Sequence, residues 1–320
     1  MIVTRQTLLS MYKIILKDRN SFLEELVTIG LPFYNNQSTL ELAVKSVLVQ
    51  TYFNWELILL DDGSTDNSLA VAKQFSDERI RIISDKTNKG LIFRLNQIAS
   101  LAKGKYLARM DADDAMHPER IKKQMQFLLK NQDIDLVDTG AYSINEKEIA
   151  TGKRGLNDIN NDPKYVLTHA MLLHASVVGK TSWFLNNPYD KKYVRAEDYE
   201  LWCRTFRYSK FGRIKEPLYI VREGKINVKN YLKSSQTIRK VITKYYKGIL
   251  SFTEFKKAIF TLRFKEFTYK IFSLINAHHF LVNTRNEALN ENEKKQVADI
   301  ISKIKETKIS IVNAENNTCI

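Results

Sequence analysis

The chain has little of what staples or stiffens small secreted proteins. Its 320 residues hold two cysteines, Cys203 and Cys319. Two are too few for a disulfide scaffold, and they lack metal-ligand spacing, so a reducing compartment is expected. Eleven glycines and five prolines exclude collagen-like and low-complexity architectures. No stretch approaches the roughly 18 apolar residues of a membrane-spanning helix. The apolar run at 10–16 is interrupted by Lys13 and is followed by no small-residue cleavage site, so no signal peptide is expected. No internal repeat is visible.

What is present describes a folded protein. Hydrophobic residues make up 44% of the chain and aromatics 11%, enough for a real core. The length suits one large domain with an appendage, or two smaller domains. The formal net charge is +14. A basic surface attracts nucleic acid, anionic lipid or phosphorylated substrates, and charge alone does not choose among them.

The first half alternates strand and helix patterns. Strands are expected at 26–31, 55–60, 80–84 and 106–110. Helices are expected at 40–50, behind Ser38 or Thr39 as a cap, at 68–75 behind Asp66, at 90–102, and from Pro118 to about 129. This rhythm predicts a doubly wound, mostly parallel α/β sheet. Further on, strands are expected at 136–144, 174–178 and 218–221, with a helix at 196–208. From about Lys225 the pattern is helical. The expected division is an N-terminal helical segment 1–24, a catalytic domain 25–225, and a basic helical extension 226–320.

In such a sheet the ligand crevice lies beyond the carboxyl ends of the strands. Three polar clusters fall there: Pro32-Phe33-Tyr34-Asn35, Asp61-Asp62-Gly63-Ser64 and Asp111-Ala112-Asp113-Asp114. Turns are commonly polar, which accounts for any one cluster. Three adjacent carboxylates, however, repel one another unless a cation or solvent neutralises them. Mg²⁺ and Mn²⁺ take oxygen ligands. On an extended segment Asp111 and Asp113 project to the same side, so together they suit a cation bound to a diphosphate.

The ordered set of motifs resembles glycosyltransferase family 2, which has the GT-A fold. It includes TIGLPFYN at 28–35, Gln50-Thr51, ELILLDDGSTD at 56–66 and Asn88-Lys89-Gly90-Leu91. It continues with ARMDADD at 108–114, HPER at 117–120 with Gln124, and AEDYELWCR at 196–204. ARMDADD and EDYELW are similar to the branch that builds bacterial capsule, exopolysaccharide and lipopolysaccharide. The resemblance implies that Pro32 and Tyr34 line the base and ribose pocket and that Asp62 bonds the uracil ring. Asp111 would face the ribose or donor sugar, with Arg109 in the same substrate-binding set, and Asp113 would bind the Mn²⁺ or Mg²⁺. Asp198, beside Glu197, would be the general base that makes the reaction inverting, with Trp202 as an apolar wall. Asp114, His174 and Arg94 complete the candidate set. Two positions depart from the family pattern: Phe93-Arg94-Leu95-Asn96 replaces an alanine-arginine-asparagine run, and Ala175 replaces the proline after His174. Arg204 and Arg207 are equally readable as diphosphate contacts or surface charges. No Gln-x-x-Arg-Trp motif follows the Glu-Asp pair, so addition of single sugars is expected. The implied partners are a UDP-sugar donor and a saccharide acceptor, lipid-linked at the cytoplasmic face of the membrane.

Between 229 and 270 there are eleven Lys and Arg residues against Glu254 and Glu266, and Phe260, Phe264, Phe267, Ile271 and Leu274 recur at helical spacing. Such a helix either packs its stripe on the catalytic domain or lies on an anionic membrane surface. Competing readings are weaker. A nucleotidyltransferase usually needs a glycine-rich loop with a basic residue after the first strand, and 28–36 lacks one. Only charge supports a nucleic-acid-binding protein, so no nucleic acid partner is expected.

Overall fold

The computed structural model describes residues 25–224, 227–274 and 286–308. The expected segment 1–24, together with Cys319, His278 and His279, lies outside the described residues.

Four parallel strands form the first part of the sheet: β1 Val27–Phe33, β2 Trp55–Asp61, β3 Ile80–Ser84 and β4 Tyr106–Arg109. They lie in the order β3-β2-β1-β4. Between them run α1 Leu40–Leu48, α2 Ser68–Ala72 and α3 Leu91–Leu101. The sheet continues with β5 Ala115–Met116, α4 Arg120–Lys130, β6 Leu136–Ile144 and β7 Ala150–Arg154. After α5 Pro163–Val166 come β8 Val178–Lys180, α6 Thr181–Asn186, α7 Glu197–Thr205 and β9 Phe211–Arg222. β8 pairs antiparallel with both β4 and β6, and β9 runs parallel to β6, so the sheet is mixed beyond β4.

Strand alternation distributes the core to both faces. Leu57 and Leu59 of β2 join α1 and α4 on one side, while Ile58 and Leu60 join α3, α6 and α7 on the other. Both faces are covered, which is why the strands read as nearly continuous apolar runs.

Several local expectations change. Residues 174–178 were expected as a strand, but His174–Ser176 is a 3₁₀ turn ahead of β8. Asp138 accepts the Leu173 N–H at 2.7 Å and Ser176 Oγ accepts the Thr139 N–H at 3.1 Å, so side chains hold the turn where a ladder was expected. The helix at 68–75 shortens to α2, although Asp66 does accept the Ser68 N–H at 2.9 Å. The strand at 218–221 is the end of the longer β9.

Among the described residues, the chain after 226 forms α8 Val228–Tyr245, α9 Phe252–Leu274 and α10 Glu291–Lys305. None is long and apolar enough to cross a membrane. Val241 and Ile242 of α8 are buried in the same core as α3 and α7. Ser234 Oγ and Thr237 Oγ1 donate to the carbonyls of Arg195 and Val194, and Tyr245 donates to Glu200 at 2.6 Å. Packing therefore runs across residue 225. α10 sets Val297, Ile300, Ile301 and Ile304 against Leu42, Tyr142 and Ile220. α9 is apolar on two faces. Phe255, Ile259 and Leu262 pack inward. Phe260, Phe264, Phe267 and Ile271 are 68%, 60%, 60% and 40% exposed, so this stripe does not pack on the catalytic core. The side chain of Leu274 lies outside the described residues.

Candidate active site

Because β1 is flanked by β2 and β4, the chain's direction of winding reverses at β1, and the crevice of a doubly wound sheet opens there. The loop after β1 and the loop after β2 are knit together. Asn35 adopts a left-handed backbone (φ 55), donates its N–H to Ser64 Oγ at 3.1 Å and accepts the Thr65 N–H at 2.8 Å. Gly63 (φ 74) sits against the backbone of Thr87 and Asn88, where an added Cβ would approach within 2.8 Å. Only glycine suits both demands. Pro32 lies within β1, and Tyr34 is exposed at the crevice lip.

Asp62 is buried and already well supplied with donors. It accepts Lys89 N–H at 2.8 Å, Gly90 N–H at 3.0 Å and Arg94 Nε at 2.8 Å. Arg94 is fully buried, and its other arm meets Asp85 at 2.6 Å. These two carboxylates, foremost Asp85, hold the guanidinium above its ordinary value despite burial. Arg94 is thus the clamp that holds Asp62 and the 85–90 loop. Arg94→Met removes the clamp and leaves Asp62 buried beside only backbone donors. The expected cost is about 3–5 kcal/mol, read by urea denaturation. An unchanged midpoint would show that the pair contributes nothing.

Asp111, Asp113 and Asp114 each bring a carboxylate oxygen to within 4.8 Å of the others. Asp111 is bound bidentately by Arg109, at 2.8 and 3.1 Å. Asp114 is buried and accepts the Arg222 N–H at 2.8 Å. Burial, then Asp111 and Asp113, hold its carboxyl well above the usual range. Asp113 is exposed at the surface; the protein packed around its carboxyl and the charge of Asp111 also push it up. Three hard oxygen donors that crowd one another in this way fit a divalent cation such as Mn²⁺ or Mg²⁺. Asp113 is the most available ligand, because Asp111 is shared with Arg109 and Asp114 with Arg222.

Buried groups brace the acidic loop from beneath. Arg120 is fully buried, donates to the Arg109 carbonyl at 2.9 Å and to Gln124 at 3.0 Å, and lies 4.9 Å over the Tyr219 ring. Burial, with Arg109 nearby, brings its guanidinium down to about 10. Tyr219 Oη accepts the Asp111 N–H at 3.1 Å. The HPER stretch and Gln124 thus act as scaffold.

Asp198 stands in the first turn of α7, with its side chain 35% exposed. Burial pushes its carboxyl up, against the Tyr199 N–H and the charge of Arg109, while Asp111 reinforces the rise. His174 Nδ1 lies 3.9 Å from the carboxylate, and Nε2 lies 2.8 Å from Tyr189 Oη. Burial and Arg109 hold this imidazole well below its ordinary value, so it is neutral at pH 7. Trp202 is edge-on to His174 at 5.9 Å and walls that side. Glu197 is buried, and burial with Asp198 raises its carboxyl. It lines a cleft of about 970 Å³ with Leu91, Phe93, Tyr189 and Tyr231. Arg204 is tied to Glu200 and the Pro188 carbonyl, and Arg207 lies over Phe206.

Sequence reasoning overlooked Tyr189, Tyr219 and Arg222. Arg120 and Gln124 carried a signal through their motif; Tyr219 lay in the expected strand at 218–221 without a motif to mark it, and Tyr189 and Arg222 lay outside the expected elements.

Residues 28–194 match the family described as Glycosyl transferase family 2. EpsE of Bacillus subtilis, which carries a glycosyltransferase name, is 37% identical over 62% of this chain and 73% of its own length. WfgD of Escherichia coli is named a UDP-Glc:alpha-D-GlcNAc-diphosphoundecaprenol beta-1,3-glucosyltransferase. It is 33% identical over 59% of this chain and 73% of its own length. Among solved structures, a mannosyltransferase from Pyrobaculum calidifontis in complex with GDP-Man and Mn²⁺ superposes with a TM-score of 0.55 at 12% identity, covering 91% of this chain and 92% of its own. TarS from S. aureus in complex with UDP gives 0.52 at 15% identity, over 87% and 79%. The fold is that of the GT-A enzymes, and the chain belongs to glycosyltransferase family 2 as an enzyme that transfers sugars.

Proposed function

We propose that this enzyme is inverting and metal-dependent, and that it moves one sugar from a UDP-sugar to a hydroxyl of a lipid-linked saccharide in surface polysaccharide synthesis. The observation that carries this reading is the company Asp198 keeps. It is a partly exposed carboxylate with raised basicity, and it feels the charges of both Arg109 and Asp111. A base near the candidate cation-binding acids suits one in-line displacement. The acceptor oxygen attacks the anomeric carbon and passes its proton to Asp198. The bond to UDP breaks, and its electron pair leaves with the diphosphate. Asp113 and Asp111 would hold the cation, which supplies Lewis-acid stabilisation to that leaving group. Pro32, Tyr34 and Asp62 would meet the nucleoside, with Arg109 fixing Asp111. The name of WfgD, with its UDP-Glc donor and diphosphoundecaprenol-linked acceptor, supports the donor and acceptor by similarity, and that of EpsE supports sugar transfer alone. The candidate catalytic residues fall within 25–225, and the basic helices α8 and α9, of which α8 is packed into the same core, bring them to an anionic membrane where the acceptor resides.

A thermal-shift screen of UDP-sugars tests the donor. With Mn²⁺, one sugar nucleotide at a hundred times its Kd should raise Tm by about 5 °C. NMR of the product should show the opposite anomeric configuration. A retained configuration, or no UDP-sugar that shifts Tm, counts against the proposal.

A further inference from the structure

A cleft of about 820 Å³ lies between α8 and α9, and it is strongly one-signed. Its charged walls are Arg239, Lys240 and Lys244 from α8 and Lys256 and Arg263 from α9, with no acidic residue among its lining. The two acids of α9 are already neutralised, Glu254 by Lys164 and Glu266 by Arg239. Lys240, Lys256 and Arg263 have no carboxylate partner among the described residues. Arg239 has only Glu266 as its carboxylate partner among those residues, and burial and the charge of Arg263 still hold it below its ordinary value.

The cleft opens onto the outer face of α9. Phe260 belongs both to the cleft lining and to the exposed row Phe260, Phe264, Phe267, Ile271. Positions i, i+4, i+7 and i+11 form one straight stripe on a helix. Lys257, Lys265 and Lys270 are also exposed on α9, with Lys257 nearest the row. Four large apolar side chains in a single exposed row cost free energy in water unless something covers them.

We infer that the α8–α9 face is a membrane-docking site, in which the cleft takes phosphate headgroups of anionic phospholipid and the outer row of α9 enters the interfacial zone. The paired chemistry selects this occupant. Unpaired cations want phosphate, and the adjoining row wants hydrocarbon, and an anionic bilayer offers both at that spacing. A nucleic acid duplex offers phosphate without an apolar partner for the row. The site's use to the enzyme rests on the reading above, that the acceptor is lipid-linked. α8 grips the carbonyls of Val194 and Arg195 and the carboxylate of Glu200, so a docked hairpin fixes the height of the Asp198 helix above the bilayer.

Flotation of the full chain with vesicles is the test. Phosphatidylglycerol-containing vesicles should carry the protein, and pure phosphatidylcholine vesicles should not. The triple variant K240Q/K256Q/R263Q should lower partitioning about a hundredfold, since each cation contributes roughly fivefold. Phe260→Ser with Phe264→Ser and Phe267→Ser should lower it at least tenfold without loss of Tm, because these rings are exposed. UDP binding with Mn²⁺, followed by calorimetry, should be unchanged in both. If flotation is absent while UDP binds, the membrane site alone falls; if UDP does not bind, the donor reading falls. Binding of an oligonucleotide as tight as that of the vesicles, or a dimer that the Phe variants dissolve, would overturn the lipid assignment.

Discussion

Asp198→Asn should lower the transfer rate by roughly 10³-fold while leaving UDP affinity within about twofold. The substitution keeps the shape of the side chain and removes its proton affinity. Asp198 makes its contacts with the neutral His174 and the Tyr199 backbone, and Arg109 and Asp111 act on it only through their charges, so donor binding should depend on it little. Single-turnover transfer and calorimetry with UDP separate the two effects. Full transfer by the Asn variant would remove Asp198 from the mechanism. Wild-type activity should also carry an acid limb. The base works only when ionised, so activity is lost as pH falls through the Asp198 pKa. Burial places that limb above the ordinary aspartate value of 3.8. An acid limb at or below 3.8 would contradict the assignment.

Asp113→Asn should weaken Mn²⁺-dependent UDP binding by at least about a hundredfold. Asp111 and Asp114 remain, but Arg109 and Arg222 already engage them, and neither presents a free pair of oxygens. Metal-free stability gives a second readout of opposite sign. The folded carboxyl of Asp113 is raised, so its charged form at pH 7 is disfavoured by the fold. Removing that charge should leave Tm equal or higher without metal, and the rise in Tm on adding Mn²⁺ should disappear. A variant that keeps its Mn²⁺-dependent rise would move the metal elsewhere.

The strands that position these residues were readable because both sheet faces are covered. β1 and β2 are continuous apolar runs that end at polar turns, and the position of those turns locates the crevice. The acidic loop was readable for the same reason, since a carboxylate cluster at a strand's end is conspicuous. β5 has two residues, too few for any period, yet its pairing with β9 brings Tyr219 and Arg222 against the acidic loop. β9 was half hidden because Arg213, Lys215, Glu216 and Pro217 break its apolar pattern. The turn at His174 depends on Asp138 and Ser176, which are side-chain bonds that no periodicity reports. Arg94 stood in the candidate set at a position that departs from the family pattern. Its full burial against Asp62 and Asp85 follows from the way α3 packs over β2, a tertiary fact absent from local spacing.

The seam between α8 and the 194–200 segment bears on how such chains can be recombined. The family match ends at residue 194, so exchanging the helical tail is an obvious route to hybrid enzymes. A splice at the end of β9 would strand Val241 and Ile242 from their partners and leave Glu200, a buried acid, without Tyr245. The transferable block is therefore α7 with α8, carried together, so whichever parent donates the tail must also donate the helix bearing Asp198.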